Sequence, residues 1–252
     1  MDGIPELVLN SEKDQLFASS LYPKPFSFNR EVAGVFDDMV KRSIPLYCDV
    51  TSYLGTWAVD YYRGGSNIYD IGCSTGTTLM HLSQRLSKPV SLIGIDKSEA
   101  MIEKAQEKLT HAPRHHQYQL LCKDVMDVSL SHASMVVVNY TLQFLPVAQR
   151  LQLLKNVYHS LMPGGILFLS EKVRFDHPQF QETSTNIYES FKEDQGYSRT
   201  EIEKKKEALD NVLIPFTEGE LRTSLGQAGF QHTDSVMKWN NFMSLVAFKG
   251  YS

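Results

Sequence analysis

Apolar positions along the chain follow two kinds of pattern. From residue 30 they recur every three or four residues: Val32, Val35, Phe36, Met39 and Val40 form one helical stripe, with Asn29 as a cap. Pro45 interrupts that stripe, a second helix is expected from about Leu46 to Tyr62, and Gly64-Gly65 ends it. Beyond this point short apolar runs begin, at Asn67 to Ile71, Val90 to Ile95, Gln117 to Leu121, Ala133 to Val138 and Ile166 to Leu169. Helical stretches separate them, at Leu79 to Leu86, Met101 to Leu109 (with Ser98 as cap) and Pro146 to Leu161. Uninterrupted apolar runs of this length are what parallel strands need when helices cover both faces, so the alternation predicts an α/β sheet.

The pattern changes after the fifth run. A helix is expected from about Pro178 to Glu193, and Gly196-Tyr197-Ser198 breaks it. Ser198 with Glu201 makes a capping box for a helix carrying Lys204-Lys205-Lys206, and Thr217 with Glu220 makes another. The mixed charges from Glu193 to Asp210 read mainly as a solvated helix face. Phe230 to Met237 and Phe242 to Phe248 read as a closing hairpin. The expectation is a single domain over residues 1–252, with an arm and lid helices at 1–64 and a helical insertion at 173–216. Residues 1–29 read as irregular, with Pro5, Pro23 and Pro25, while Phe26 and Phe28 could pack onto the domain.

The chemistry starts where the first strand ends. Asp70-Ile71-Gly72-Cys73-Ser74-Thr75-Gly76 is a two-glycine loop running into a helix, and glycine lets a ligand come close to the backbone. Asp96 ends the next strand, where a carboxylate suits ribose hydroxyls. Asn139 ends the fourth strand, on the edge where open α/β sheets bind ligands. The order Asp-x-Gly-x-x-x-Gly, then a strand closed by Asp, then Leu161-Met162-Pro163-Gly164-Gly165, resembles the class I S-adenosylmethionine (SAM)-dependent methyltransferases. That resemblance implies a Rossmann-like, seven-stranded, mostly parallel sheet with a C-terminal antiparallel hairpin. It also implies that Asp124, after the third strand, meets adenine.

A net charge of −4 argues against a protein built to grip phosphate backbones, so direct tRNA binding is not expected. Cys48, Cys73 and Cys122 have neither metal-ligand spacing nor disulfide density. The sequence has no signal-like start and no membrane-length apolar run, so a cytoplasmic protein without membrane contact is expected.

Further stretches narrow the resemblance. Val35 to Tyr47, Ala133 to Leu145, Gly165 to Lys172, Gly196-Tyr197-Ser198 and Ala208 to Leu213 together resemble the carboxy-SAM synthase family, over about residues 11 to 250. The resemblance implies transfer of a carboxyl group from prephenate onto the SAM methyl, giving carboxy-SAM and phenylpyruvate. Carboxy-SAM then serves a second enzyme that modifies wobble uridine in tRNA. A sulfonium acidifies its methyl hydrogens, and hydroxide leaving prephenate can act as the base. In keeping with that, the sequence holds no evident general-base constellation. Carried over residue by residue, SAM or carboxy-SAM contacts fall on Tyr47, Gly72, Cys73, Ser74, Asp96, Lys97, Asp124, Val125 and Asn139, beside Asp70 of the loop. The family's carboxylate-binding arginine is replaced here by Lys206, which keeps the charge and loses the bidentate fork; Arg199 or Arg174 could assist. A homodimer is also implied, with the 173–216 helices as its contact. The competing readings are a small-molecule methyltransferase, favoured by that lysine, and a non-catalytic SAM-binding protein.

Overall fold

The strands of the protein, seen in a computed structural model that describes residues 12–18 and 25–251, join into one sheet. Pro5 and Pro23 of the expected irregular arm lie outside the described residues. The strands are β1 (Asn67–Ile71), β2 (Ser91–Asp96), β3 (Gln117–Cys122), β4 (Ala133–Asn139), β5 (Leu161–Lys172), β6 (His232–Trp239) and β7 (Phe242–Phe248). Their spatial order is β3-β2-β1-β4-β5-β7-β6. The first five run parallel, and β7 pairs antiparallel with β5 and β6, so the seven-stranded sheet with a terminal hairpin is as expected. Chain order reverses between β1 and β4. Their carboxyl ends therefore diverge and leave a crevice, the usual ligand position in open α/β sheets.

Helices cover both faces. On one side α2 (Tyr47–Tyr61) and α3 (Thr77–Arg85) bury Val50, Leu54, Ala58, Leu79 and Leu82 against Ile68, Met135 and Val137. On the other, α5 (Val147–Ser160) and α8 (Glu218–Ala228) bury Leu153, Leu154, Val157, Leu221 and Leu225 against Val136, Val138 and Leu245. The central strands are buried on both faces, which is why their sequence runs are continuous rather than alternating.

The caps read from the sequence form. Asn29 Oδ1 accepts from Val32 N at 3.0 Å to start α1 (Arg30–Ser43), and Ser98 Oγ accepts from Met101 N at 3.2 Å to start α4 (Glu99–Leu109). Both capping boxes are complete, at Ser198/Glu201 for α7 (Arg199–Ala208) and at Thr217/Glu220 for α8. Several boundaries differ from expectation by a residue or two, and two differences have a clear backbone cause. Helix α3 begins at Thr77, because Gly76 takes φ +77° and turns the chain straight into it. Strand β5 starts at Leu161, because Met162 to Gly165 form a bulge within it, with Ala133 opposite Leu161 and Met135 opposite Ile166, and it runs on to Lys172 by pairing with Phe242 of β7.

A third apolar cluster joins Phe17 and Phe26 to Val32, Val35 and Met39 of α1, Met101 of α4 and Ala208 of α7. Phe26 N donates to the Ala208 carbonyl at 2.8 Å. Phe17 and Phe26 are thus fixed between the sheet's helices and α7. Helix α6 (Pro178–Asp194) completes the rim at the carboxyl edge.

Candidate functional site

A cavity of about 460 Å³ opens at the carboxyl ends of β1, β2 and β4 and runs on under α1, α6 and α7. Gly72 begins the β1 loop with φ +71°, and an added Cβ would run into the Thr141 side chain. Gly72 N and Cys73 N both donate to the Ile95 carbonyl, at 2.8 and 3.1 Å, which pins the loop to β2. Ser74 N donates to Asp96 Oδ2 and Ser98 N to Asp96 Oδ1, each at 2.9 Å. One backbone donor on each oxygen fixes the carboxylate while leaving lone pairs for a diol. Burial raises the Asp96 pKa, and those backbone donors hold the rise back.

Asn139 sits at the end of β4 with its Oδ1 buried and without a hydrogen-bond partner among the described residues. The next residue, Tyr140, has φ +56°, an unfavourable value for a bulky side chain, and its N donates to the Ser170 carbonyl at 2.8 Å. Glu171 Oε1 accepts from Leu142 N at 2.9 Å, and Gln143 Oε1 accepts from Lys172 N at 3.0 Å. The end of β5 therefore braces the strained loop. Burial pushes Glu171 up to about 8, against the pull of Arg150 and the loop's N–H groups. Phe28, Phe36 and Phe144 form an aromatic wall, with Phe28 edge-on to Phe144 at 5.1 Å between centroids. Asp124 Oδ1 accepts from Met126 N at 2.9 Å and caps a short turn at 125–127.

The expected site residues Tyr47, Gly72, Cys73, Ser74, Asp96, Lys97, Asp124, Val125, Asn139 and Lys206 all line this one cavity. Asp70 stands apart from its wall, 1% exposed behind the loop, and its Oδ2 has no partner among the described residues. Burial first, and the charge of Asp96 second, push Asp70 up to about 8. A carboxyl raised in the fold gives stability that is complete below its unfolded pKa, 3.8, and is lost as pH rises through about 8. D70N is therefore expected to stabilise the ligand-free protein at about pH 8 and to flatten this part of its pH dependence. Urea midpoints at about pH 5 and about pH 8 check this; equal midpoints for the two proteins at both pH values would show that Asp70 is ionised in the fold.

The far end of the cavity is basic. Lys206 Nζ lies 3.1 Å from Glu189 Oε1, and its side chain is 64% exposed. Lys205 also lines the cavity but is buried and already partnered: its Nζ donates to Ser43 Oγ at 2.7 Å and lies 3.7 Å from Asp14 Oδ2. Lys172 Nζ and Lys192 Nζ lie 4.5 and 4.4 Å from the centroid of the Tyr188 ring. Burial and the neighbouring ammonium groups push Lys172 down to about 8 and Lys192 to about 7. Burial raises the pKa of Tyr47 as well. Neither arginine considered from the sequence reaches this end. Arg199 pairs with Glu193 at 2.6 Å and Arg174 with Glu220 at 2.8 Å, and neither lines the cavity.

Lys172 and Lys192 were not singled out by sequence reasoning, although signals exist. Lys172 ends β5, the same position that marked Asn139 on β4. Gln181, Thr185, Tyr188 and Lys192 all line the cavity and recur at helical spacing along α6. The sequence offered no evident general-base constellation; burial brings Asp70, Glu171, Lys172 and Lys192 to about 7–8.

The glycine loop's φ at Gly72, the unpartnered acceptor of Asn139 and the two-point hold on Asp96 together fit an adenosyl ligand. A methyltransferase domain family matches residues 68–165. Over 97% of this chain and 96% of its own, the carboxy-S-adenosyl-L-methionine synthase of Trichodesmium erythraeum is 52% identical. The protein of that name from Desulforapulum autotrophicum is 42% identical over 94% of this chain and 97% of its own. Among solved structures, magnesium protoporphyrin IX methyltransferase from Synechocystis PCC 6803 with bound SAH superposes with a TM-score of 0.59. It is 17% identical, covering 84% of this chain and 87% of its own, so the likeness speaks for the fold alone.

Proposed function

From the premise that this chain belongs to the carboxy-S-adenosyl-L-methionine synthase family, we propose that it converts SAM and prephenate to carboxy-SAM, phenylpyruvate and water. The chain is a SAM-using transferase of that family, and the choice of prephenate is the further step. One observation carries the reading: a single cavity joins a crevice suited to an adenosyl group, at Gly72, Asp96 and Asn139, to a basic end at Lys172, Lys192 and Lys206. An ordinary methyl transfer needs no such cluster of cations beside the methyl carbon. Making a new carboxylate there does.

The bound substrate supplies a sulfonium whose charge acidifies its methyl hydrogens. The protein's own residues hold and shield it. Asp96 takes the ribose hydroxyls, Phe28 and Phe144 wall the base, and Asn139 Oδ1 is an acceptor for the amino-acid end. Tyr47 and α1 exclude water, and Lys206 receives the carboxylate added to the methyl carbon. Lysine offers that carboxylate a point charge, so its hold is weaker than an arginine's fork. The product would serve a partner enzyme as carboxymethyl donor for wobble uridine in tRNA, without direct tRNA contact by this chain. The reading also includes a cytoplasmic homodimer with α6 and α7 at its contact, and residues 1–64 acting as arm and lid. Among the described residues no helix is long and apolar enough to cross a membrane.

Mass spectrometry of the nucleoside that copurifies with the protein tests the reading, since carboxy-SAM is heavier than SAM by one carbon dioxide. Release of phenylpyruvate from prephenate, dependent on SAM, is the matching assay. Finding neither, alongside a methyl acceptor, would make the chain a small-molecule methyltransferase. Lys206→Met is expected to weaken carboxy-SAM binding by about tenfold or more, the worth of one charge-assisted hydrogen bond, and to leave SAM within about threefold. Lys206→Arg is expected to tighten carboxy-SAM. Calorimetry with both nucleosides checks the pair of variants, and equal losses for SAM and carboxy-SAM in Lys206→Met would remove the carboxylate from this position.

A further inference from the structure

We propose that Lys172 and Lys192 form the subsite for a carboxylate of the second substrate, apart from the Lys206 position that takes the carboxylate of the product. This assignment rests on the reading above, in which a small dicarboxylate joins SAM in the cavity. The two lysines come from different elements, the end of β5 and the last turns of α6, and both ammonium groups lie against the ring of Tyr188. Both residues line the cavity, and Lys192 is only 7% exposed.

How this same chain treats a structural lysine sets the comparison. Lys108 is buried too, and its Nζ has four oxygens around it: Asp37 Oδ1 and Oδ2 at 3.1 and 2.8 Å, Thr75 Oγ1 at 3.0 Å and Thr77 Oγ1 at 2.7 Å. Lys205 likewise has Ser43 and Asp14. Among the described residues neither Lys172 nor Lys192 has a hydrogen-bonding or ion-pair partner through its ammonium. The carboxylate whose charge acts on both is Glu189, and it already pairs with Lys206. Burying two like charges together without an anion is costly. A tyrosine face recovers part of that cost for a cation but cannot neutralise two. A carboxylate entering from the cavity supplies the missing acceptor oxygens. Prephenate carries one carboxylate that is lost and one that survives in phenylpyruvate, and only the latter needs holding throughout. The lysine pair suits that one.

The groups around the pair are Tyr188 and Glu189 on α6 and Lys205 and Lys206 on α7. With ammonium groups already pushed toward neutrality, the incoming anion raises their pKa values. Its binding therefore takes up protons at about pH 7–8 and weakens as pH rises through about 8.

The test is calorimetry of prephenate binding to protein saturated with S-adenosylhomocysteine, which has no methyl to carboxylate, together with the turnover assay. Lys172→Met and Lys192→Met are each expected to weaken prephenate at least tenfold and leave S-adenosylhomocysteine affinity unchanged. Lys238→Met, whose lysine pairs with Glu218 outside the cavity, is expected to bind like wild type. Unchanged prephenate affinity in both cavity variants, with wild type turning over prephenate, overturns the assignment and spares the proposed function. Wild type that neither binds nor consumes prephenate overturns both. Should the methionine variants also lose S-adenosylhomocysteine, proton uptake by the wild type decides: heats in two buffers of different ionisation enthalpy show uptake if the lysines receive the anion, and its absence rejects them.

Discussion

Lys108→Met is expected to remove about 3–5 kcal/mol of folding free energy, the usual result of stripping one partner from a buried ion pair. For a chain of this size that lowers Tm by roughly 6–20 °C. Lys108 Nζ and Asp37 Oδ2 are 2.8 Å apart, with side-chain exposures of only 6% and 10%. Burial alone would raise the Asp37 carboxyl, but the Lys108 charge and hydrogen bonds from Lys108, Thr75 and Thr77 hold it below the usual carboxylate range. Methionine matches the length of the lysine stem, so the loss is one of charge and hydrogen bonds rather than volume. Asp37 belongs to α1, Thr75 and Thr77 to the glycine loop and the start of α3, and Lys108 to α4. The network therefore clamps the helix over the cavity onto the loop beneath it. The variant is expected to lose SAM affinity as well as stability. Adding Asp37→Asn should recover much of the stability, because the uncompensated charge goes, while the clamp stays weakened. Melting curves of the single and double variants separate the two effects, and additive losses would show that the pair is not coupled.

That network was invisible in the sequence, and the reason is instructive. Asp37 and Lys108 are 71 positions apart, and each taken alone reads as an ordinary charge on an amphipathic helix. By contrast, the places of Asp96 and Asn139 were legible, because each ends a strand on the edge where open α/β sheets bind ligand, and both line the cavity there. Gly72 was legible because its conformation is required by the turn. The caps at Asn29, Ser98, Ser198 and Thr217 are local, settled within three residues, and needed no tertiary information. Lys172 and Lys192 fall between these cases. Their positions on β5 and on the polar stripe of α6 were readable, but their chemistry comes from burial, which only the packed fold supplies. Asp70 shows the converse. Its place in the motif pointed to contact with ligand, whereas packing sets it behind the loop, where burial and the charge of Asp96 hold its carboxyl protonated. The stretch from Met162 to Gly165 carried a family signature, yet its work is to bulge β5 so that the strand starts at Leu161, ahead of its apolar run.

Asp96→Ala is expected to weaken SAM binding roughly 100- to 1000-fold, from two charge-assisted hydrogen bonds to the ribose hydroxyls lost together. The carboxylate is held by Ser74 N and Ser98 N, so the variant also releases the loop residue that follows Cys73. Loss of fold does not account for such a change. Burial raises the Asp96 pKa, which means that the ligand-free protein holds this charge at a cost. Truncating it relieves that cost while surrendering two backbone hydrogen bonds, so the melting temperature of the ligand-free variant should stay close to wild type. Asp96→Asn makes the finer distinction. Its amide keeps one acceptor oxygen but offers a donor in place of the other, facing either Ser74 N or Ser98 N, and a loss between those of wild type and alanine is expected. Calorimetric titration with SAM, alongside melting curves without ligand, reads both quantities. Affinity within about threefold of wild type in Asp96→Ala would place the ribose elsewhere in the cavity and detach the basic end from any methyl carbon anchored by this aspartate.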